Sequence, residues 1–554
     1  MSKRGSRRAD LEDTLRGLRA RTRNALALLP GPRPDWIVVG LSGTFPARTQ
    51  RRTMFGIPLP GELGRTDRSL EELREDLDAL ADARWLKGVV FRLGVLHVSH
   101  ATAYALREGI ATVKRAGKRT VAFLTQLDWK HTYVASAADE VVAPESAEVA
   151  LLGIGLSITF MRDALAKHGV RFEKLSIGEY KNAFDELVRQ EMSQAQREQL
   201  EGLLASVEQH YVESLAQGRG MKPEAMKAFV DEGVTSAKRA REAGLIDRIA
   251  YEDEVVGERY VPLGAAARHL RVRRSSGGKR VAVVSLLGAI IPGRSRRSPA
   301  PIPVIGGLLA GAETLVQSLR AAGKDDRTAA VVFLVDSGGG SALASDLIGR
   351  EVRRIAAKKP VVAVMGGVAA SGGYYVLTHA SRVIAAPTTM TGSIGVLTGK
   401  LVLEGLLQRH GLNHEQIRRG RFALLQDPGR PFTDEERALL ARANEEIYTR
   451  FVDRVAEGRK MTTARVDALA RGRVWSGLDA LRLGLIDELG DVETAITRAC
   501  ELARIPRDAP VWNVKAPSEL LLPTVDDPTT VMRAVEPFLR ETSWLLCPVA
   551  SRFD

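Results

Sequence analysis

Cysteine is almost missing from this sequence. Cys500 and Cys547 are the only two in 554 residues, which excludes a disulfide framework and leaves nothing that argues for an oxidising compartment. No run of roughly 18 or more apolar residues occurs, so no spanning helix is expected. Residues 1–34 also lack the apolar stretch and small-residue cleavage site of a secretory signal. There is no RNA-binding or zinc-finger signature, and the formal charge of +13 comes from basic residues spread among many acidic ones. A nucleic-acid partner is therefore not expected. The nine histidines form no evident triad pattern, and His97-Val-Ser-His100 would need further ligands to hold a metal, so none is expected.

An apolar share of 45% and a charged share of 27% are ordinary for a soluble globular chain, and the length suits more than one domain. Residues 1–34 carry Leu11, Leu15, Leu18, Leu26 and Leu29 at near-helical spacing, interleaved with Arg16, Arg19, Arg21 and Arg23. Two readings stand: a helix lying on an anionic membrane surface, or an amphipathic helix packed on its own protein or a partner subunit. After the turn-rich Pro30–Pro34, strands are expected at Trp36–Leu41, Gly88–Leu93 and Thr120–Leu124. Helices are expected over 69–83, Tyr104–Arg115 and from Tyr133 to Ala138. That alternation argues for an α/β domain.

The second half repeats the first. Val234–Asp247 aligns without a gap with Val474–Asp487 at an offset of 240 (474 − 234), Val89-Val90-Phe91 with Val331-Val332-Phe333, and Ala143-Pro144 with Ala386-Pro387. Two homologous α/β domains in tandem follow. The expected divisions are a basic amphipathic segment at 1–34, a first repeat at 35–270, a second at 281–505 and an extension at 506–554. The joint falls at Arg271–Arg280, with a loop at Pro292–Pro303. The short apolar patches that begin at Glu519 and at Ser543 lie outside the repeats. Packing on the core is their commoner use, beside a subunit contact or a lipid contact.

Each half lacks what the other holds. Val361–Met365 reads as a buried strand stopped by Gly366-Gly367, with Ser371 soon after and a helical pattern from Tyr374 to Ala380. Ser371 either caps that helix or stands beside free backbone N–H groups that can hold an oxyanion. The first half has Asp128, Trp129 or Lys130 opposite it, depending on the offset, and has Gly94–Ser99 opposite the glycine turn Asp336–Ser341. Conversely, Lys181 falls opposite Ala423. A serine needs a base. His379, eight residues on, would be about 12 Å away along one helix. A lysine serves only when neutral, which asks burial to lower a pKa of about 10.4 by roughly 3 units, on the order of 4 kcal/mol. Lys181 lies among Tyr180, Ala183 and Phe184, although a lone lysine is more often a surface residue.

Gly338-Gly339-Gly340-Ser341 after a strand, Ala370-Ser371-Gly372-Gly373-Tyr374-Tyr375, Thr391–Val396 and Tyr180-Lys181-Asn182-Ala183 together resemble the long, two-repeat form of signal peptide peptidase A (protease IV) over roughly residues 36–500. The resemblance implies two tandem ClpP/crotonase-like α/β domains and a bacterial serine endopeptidase with a Ser-Lys dyad. It implies Ser371 as nucleophile, Lys181 as general base and Ser393 as the residue that orients the lysine. The oxyanion hole would come from the N–H groups of Gly372 and of Gly339 or Gly340. Hydrophobic peptides such as cleaved signal peptides, a homotetramer and no cofactor are implied as well. The chain departs from the family in two respects. Gly338 replaces the usual proline, and no transmembrane anchor opens the chain, so a peripheral membrane or cytoplasmic location is expected. A crotonase-type acyl-CoA enzyme and an inactive membrane-complex scaffold are the competing readings.

Overall fold

The structure, a computed structural model, describes residues 17–18, 20–25, 27, 33–49, 53–54, 57–58, 67–256, 260–272, 278–298, 307–514, 519–520 and 543–546. Leu11, Leu15, Arg16, Arg19, Leu26 and Leu29 lie outside the described residues. So do 273–277 of the expected joint, 299–303 of the expected loop, 521–523 and Cys547. The described part of the N-terminal segment packs on its own chain. Arg23 pairs with Asp76 at 3.1 Å, and the Asn24 amide donates to Val272 O at 2.9 Å. Among the described residues, no helix is long and apolar enough to cross a membrane.

Contacts divide the chain into two compact units. The first comprises Met1–Ile154, Val207–Gly278 and Asp508–Trp512, and the second Gly155–Ser206, Lys279–Arg507 and Asn513–Asp554. The stretch that carries Lys181 thus groups with the later part of the chain, although it precedes it in sequence.

In the first unit six strands pair in parallel, in the order Arg248–Ile249, Glu140–Ala143, Arg119–Leu124, Gly88–Leu96, Trp36–Gly43 and Tyr260–Pro262. Parallel strands are covered on both faces, which is why they read as unbroken runs such as Val89-Val90-Phe91. The helix Leu70–Asp82 opens on a capping box between Ser69 and Glu72, and Ser99 caps His100–Arg115. Leu73, Leu77, Leu106 and Ile110 from these helices close over Ile37, Val39 and Phe91.

In the second unit Thr328–Ser337 lies between Arg280–Leu287 and Val361–Ala370, again in parallel. The last of these strands does not stop at Gly366-Gly367. The Asp336 carboxylate accepts the Val368 N–H at 3.1 Å, and Val368–Ala370 take Met390–Gly392 as a new partner. Side-chain and backbone acceptors therefore carry the strand through the glycines, and it ends directly before Ser371. A further sheet of this unit runs in the order Gly339–Ser341, Trp544–Leu546, Val396–Val402, Arg171–Ile177, with each neighbouring pair antiparallel.

The duplication reaches individual bonds. Asp247 accepts the Val141 N–H at 2.7 Å and pairs with Arg219, and Asp487 likewise accepts the Val383 N–H at 2.7 Å and pairs with Arg459. The chain is therefore α/β, with two units that repeat one plan.

Candidate active site

The strand Val361–Ala370 delivers the chain to Ser371, and the helix Gly372–Tyr375 begins on the next residue. Ser371 has φ 55 and ψ −117, a conformation that costs a non-glycine residue about 1–3 kcal/mol. Two hydrogen bonds hold it there: its N–H donates to Gly392 O at 2.8 Å, and its carbonyl accepts the Tyr375 N–H at 2.8 Å. Gly373 permits the close approach, since a Cβ there would stand 2.4 Å from Ser337 O. The Ser371 side chain makes no capping bond, so the capping reading does not describe this hydroxyl. The helix is one turn long rather than reaching Ala380, and His379 faces Glu457 at 3.2 Å.

Lys181 Nζ lies 2.7 Å from Ser371 Oγ, 2.9 Å from Ser393 O and 3.0 Å from Ser393 Oγ. All three residues belong to the second unit, and all are buried, with Lys181 1% exposed and both serines 0%. Ser393 also has a positive φ, 51, and its N–H donates to Arg473 O at 2.6 Å. The lysine backbone is fixed from one side by Gly472, where a Cβ would stand 2.5 Å from Lys181 N. Beside it the Arg473 guanidinium lies over the Tyr180 and Trp475 rings, 4.7 and 4.6 Å from their centroids.

Sequence reasoning missed the groups behind the lysine. Lys174 Nζ donates to Lys181 O at 2.7 Å and pairs with Asp185, each side chain being 8% exposed. Asn182 Nδ2 donates to the same carboxylate at 3.0 Å, and Gln199 Oε1 accepts the Val474 N–H at 2.7 Å. Burial holds the Lys174 pKa below the ordinary lysine value, with the Asp185 carboxylate pulling the other way. Lys174 sits inside a plain strand with no glycine or motif to mark it, so spacing alone had no signal to offer. Lys400, also buried, is bonded elsewhere: its Nζ donates to Leu425 O at 3.1 Å and Asp427 O at 3.0 Å, over the Phe432 ring.

The glycine turn lies against the helix start. Gly340 N is 3.2 Å from where a Cβ on Gly372 would stand, and the Gly372 N–H, first in its helix, has no intrahelical acceptor. The Gly339 N–H donates to Ser337 Oγ at 3.1 Å.

In the first unit, Asp128 holds the position of Ser371 at the start of Trp129–Ala135, with an ordinary φ of −89. Its carboxylate accepts His131 N–H at 2.9 Å and bonds His131 Nδ1 at 2.8 Å, while His131 Nε2 donates to Gly94 O at 2.9 Å. Both ring partners are acceptors, so the ring carries two protons in this arrangement. Burial opposes that charge, but the hydrogen bond and charge of Asp128 outweigh it and leave the His131 pKa raised. His100 bonds Tyr211 OH at 2.6 Å, and burial, with Lys130 and His210 adding to it, pushes its pKa down to about 4.

The sequence profile of peptidase family S49 matches residues 112–260 and 353–506. The serine protease SPPA of the Arabidopsis thaliana chloroplast is 32% identical over 463 residues, which are 81% of this chain and 68% of that protein. Protease 4 of Salmonella typhi is 30% identical over 72% of this chain and 66% of its own length, and Protease 4 of Haemophilus influenzae is 27% identical over 77% and 72%. The chain thus spans roughly two thirds of the length of these relatives. A solved ClpP1 mutant from Listeria monocytogenes overlaps 39% of this chain at 16% identity and a TM-score of 0.24, too low for inference. With a profile matching more than half of its residues and a chloroplast relative similar over most of its length, the chain belongs to peptidase family S49, among serine peptidases.

Proposed function

We propose that this serine peptidase cleaves hydrophobic peptides, cleaved signal peptides among them, with Ser371 as nucleophile and Lys181 as general base. The observation that carries the reading is the 2.7 Å approach of Lys181 Nζ to Ser371 Oγ in a buried site. The Ser393 hydroxyl donates toward Leu546 O at 3.4 Å and so is free to accept from the amine. A neutral amine has two N–H groups and one lone pair. The N–H groups go to Ser393 O and Ser393 Oγ, and the lone pair is left for the Ser371 proton.

In the first step Lys181 takes that proton while Ser371 Oγ attacks the peptide carbonyl. The resulting oxyanion is held by the N–H of Gly372 and that of Gly340 or Gly339, each worth about 3–4 kcal/mol. Use of Gly339 requires its bond to Ser337 Oγ to open first. The ammonium then returns its proton to the leaving amine, an acyl-enzyme remains, and the same amine activates the water that hydrolyses it.

The test is a digest of a hydrophobic peptide library by the intact chain and by Ser371→Ala. Cleavage lost by about 10⁴-fold or more with the fold retained is expected. Cleavage that persists in the variant would remove Ser371 from the reaction.

A further inference from the structure

Lys181 is bracketed by two ties to one short stretch, residues 471–474. Before it in the chain, the Tyr180 N–H donates to Arg471 O at 3.0 Å. After it, a side chain makes the link. Gln199, on the helix Gln194–Arg219 and 2% exposed, accepts the Val474 N–H through Oε1 at 2.7 Å and turns Nε2 toward Asn182 Oδ1 at 3.4 Å. The same stretch holds both serines. Arg473 O accepts the Ser393 N–H at 2.6 Å, Val474 stands opposite Gly392 in an antiparallel pair, and Gly392 O accepts the Ser371 N–H at 2.8 Å.

What each amide meets fixes its orientation. Only the oxygen of Gln199 can accept a backbone N–H, so its NH₂ group faces Asn182. Only the NH₂ group of Asn182 can donate to the Asp185 carboxylate, 3.0 Å away, so its oxygen faces Gln199. The bonds therefore run one way, from Val474 through Gln199 and Asn182 to Asp185, which pairs with Lys174. Buried bonds aligned in this way polarise one another. Removing the middle amide strips a bond from two buried groups at once, one beside the lysine and one on the strand that holds the serines.

We propose that Gln199 is a positioning residue for the reaction. Its amide keeps Asn182, and with it the chain at Lys181, in register with the strand that fixes Ser371 and Ser393. It touches neither reacting group and acts through Lys181, so the proposal rests on the reading of Ser371 and Lys181 as the reacting pair. A base moved by about 1 Å costs up to about 10²-fold in rate, which sets the scale of the effect.

The test compares two variants of the intact chain that each lose a tie between the same helix and the same strand. Gln199→Met has a similar length and makes neither amide bond. Ser206→Ala removes the bond from Ser206 Oγ to Ser476 Oγ, 2.7 Å long, which does not involve the lysine turn. With a hydrophobic peptide that the native chain cleaves, Gln199→Met is expected to lower kcat by at least about tenfold with KM within about twofold. Labelling of Ser371 by an active-site serine probe should slow by the same factor. Ser206→Ala is expected to lower the melting temperature and keep kcat within about twofold. A native kcat in Gln199→Met, or equal losses of kcat in both variants, overturns the proposal. Should Gln199→Met not fold, Gln199→Asn, whose amide is one methylene too short to reach both partners, is read by the same two outcomes. Lys181→Met measured alongside separates the two claims. If it is inactive while Gln199→Met is fully active, the positioning role alone fails. If it is active, the Ser371–Lys181 reaction fails and the positioning role with it.

Discussion

The two units build the same turn and use it differently. In both, a parallel strand feeds a short helix, and an Arg-Asp pair with a carboxylate on a strand N–H braces the neighbouring strands. At Asp128 the backbone is relaxed and the side chain is spent on its own helix and on His131. At Ser371 the backbone is forced to positive φ and the side chain caps nothing. The difference teaches that this scaffold alone does not make a reactive group. On the proposed mechanism, reactivity needs the hydroxyl released from capping and an amine brought to it; at Ser371 the positive φ goes with a side chain that makes no capping bond.

The comparison breaks most visibly if the amine is irrelevant. Lys181→Met should lower peptide cleavage by about 10³-fold, within the span general bases supply, with its melting temperature held. Lys400→Ala, which removes bonds to Leu425 O and Asp427 O, should lose stability by about 1–3 kcal/mol and keep kcat. Similar kcat losses in both would leave Lys181 with no special place. Lys174→Met sharpens the account of how the amine is held. A misplaced base costs up to about 10²-fold, so kcat should fall by about that much with KM little changed. The Asp185 anion left behind favours protonated Lys181, so the rising limb of the pH–rate profile should move to higher pH. A purely structural role for Lys174 would leave that limb where it is.

The smallest effect belongs to the first unit. Asp128→Asn should destabilise it by about 1–3 kcal/mol and leave kcat within about twofold, because its partner His131 is not in the reacting set. The pH dependence of that loss has a definite sign. His131 has a folded pKa raised above its unfolded value, so its contribution is full below about pH 6.5 and fades as pH rises through the folded value. The difference in melting temperature between the native chain and Asp128→Asn should therefore shrink from pH 5 to pH 9. A constant gap would mean the ring is not cationic in the fold.

Much of this was legible in the sequence because duplication leaves offsets that can be counted. Ser236 and Ser476 cap equivalent helices, and Asp247 and Asp487 bond equivalent strands, as the aligned segments imply. The position of Ser371 at a strand end followed from the apolar run before it. The meeting of Lys181 with Ser371 came only from the family resemblance, since contacts 190 positions apart leave no periodicity. Three features stayed hidden. The strand crosses Gly366-Gly367 because Asp336, distant in sequence, supplies an acceptor. Lys174, paired with Asp185, bonds the Lys181 backbone rather than standing in a motif. Trp544–Leu546 gains its place from two sheet edges far away in the chain.

The most direct measurement is the rate at which an active-site serine probe labels Ser371, followed by mass spectrometry from pH 5 to pH 10 in the native chain and in Lys181→Met. Labelling at Ser371 is expected to climb with pH to a plateau as the amine loses its proton, with no such climb in the variant. Labelling at another residue, or the same pH profile in both proteins, would contradict it.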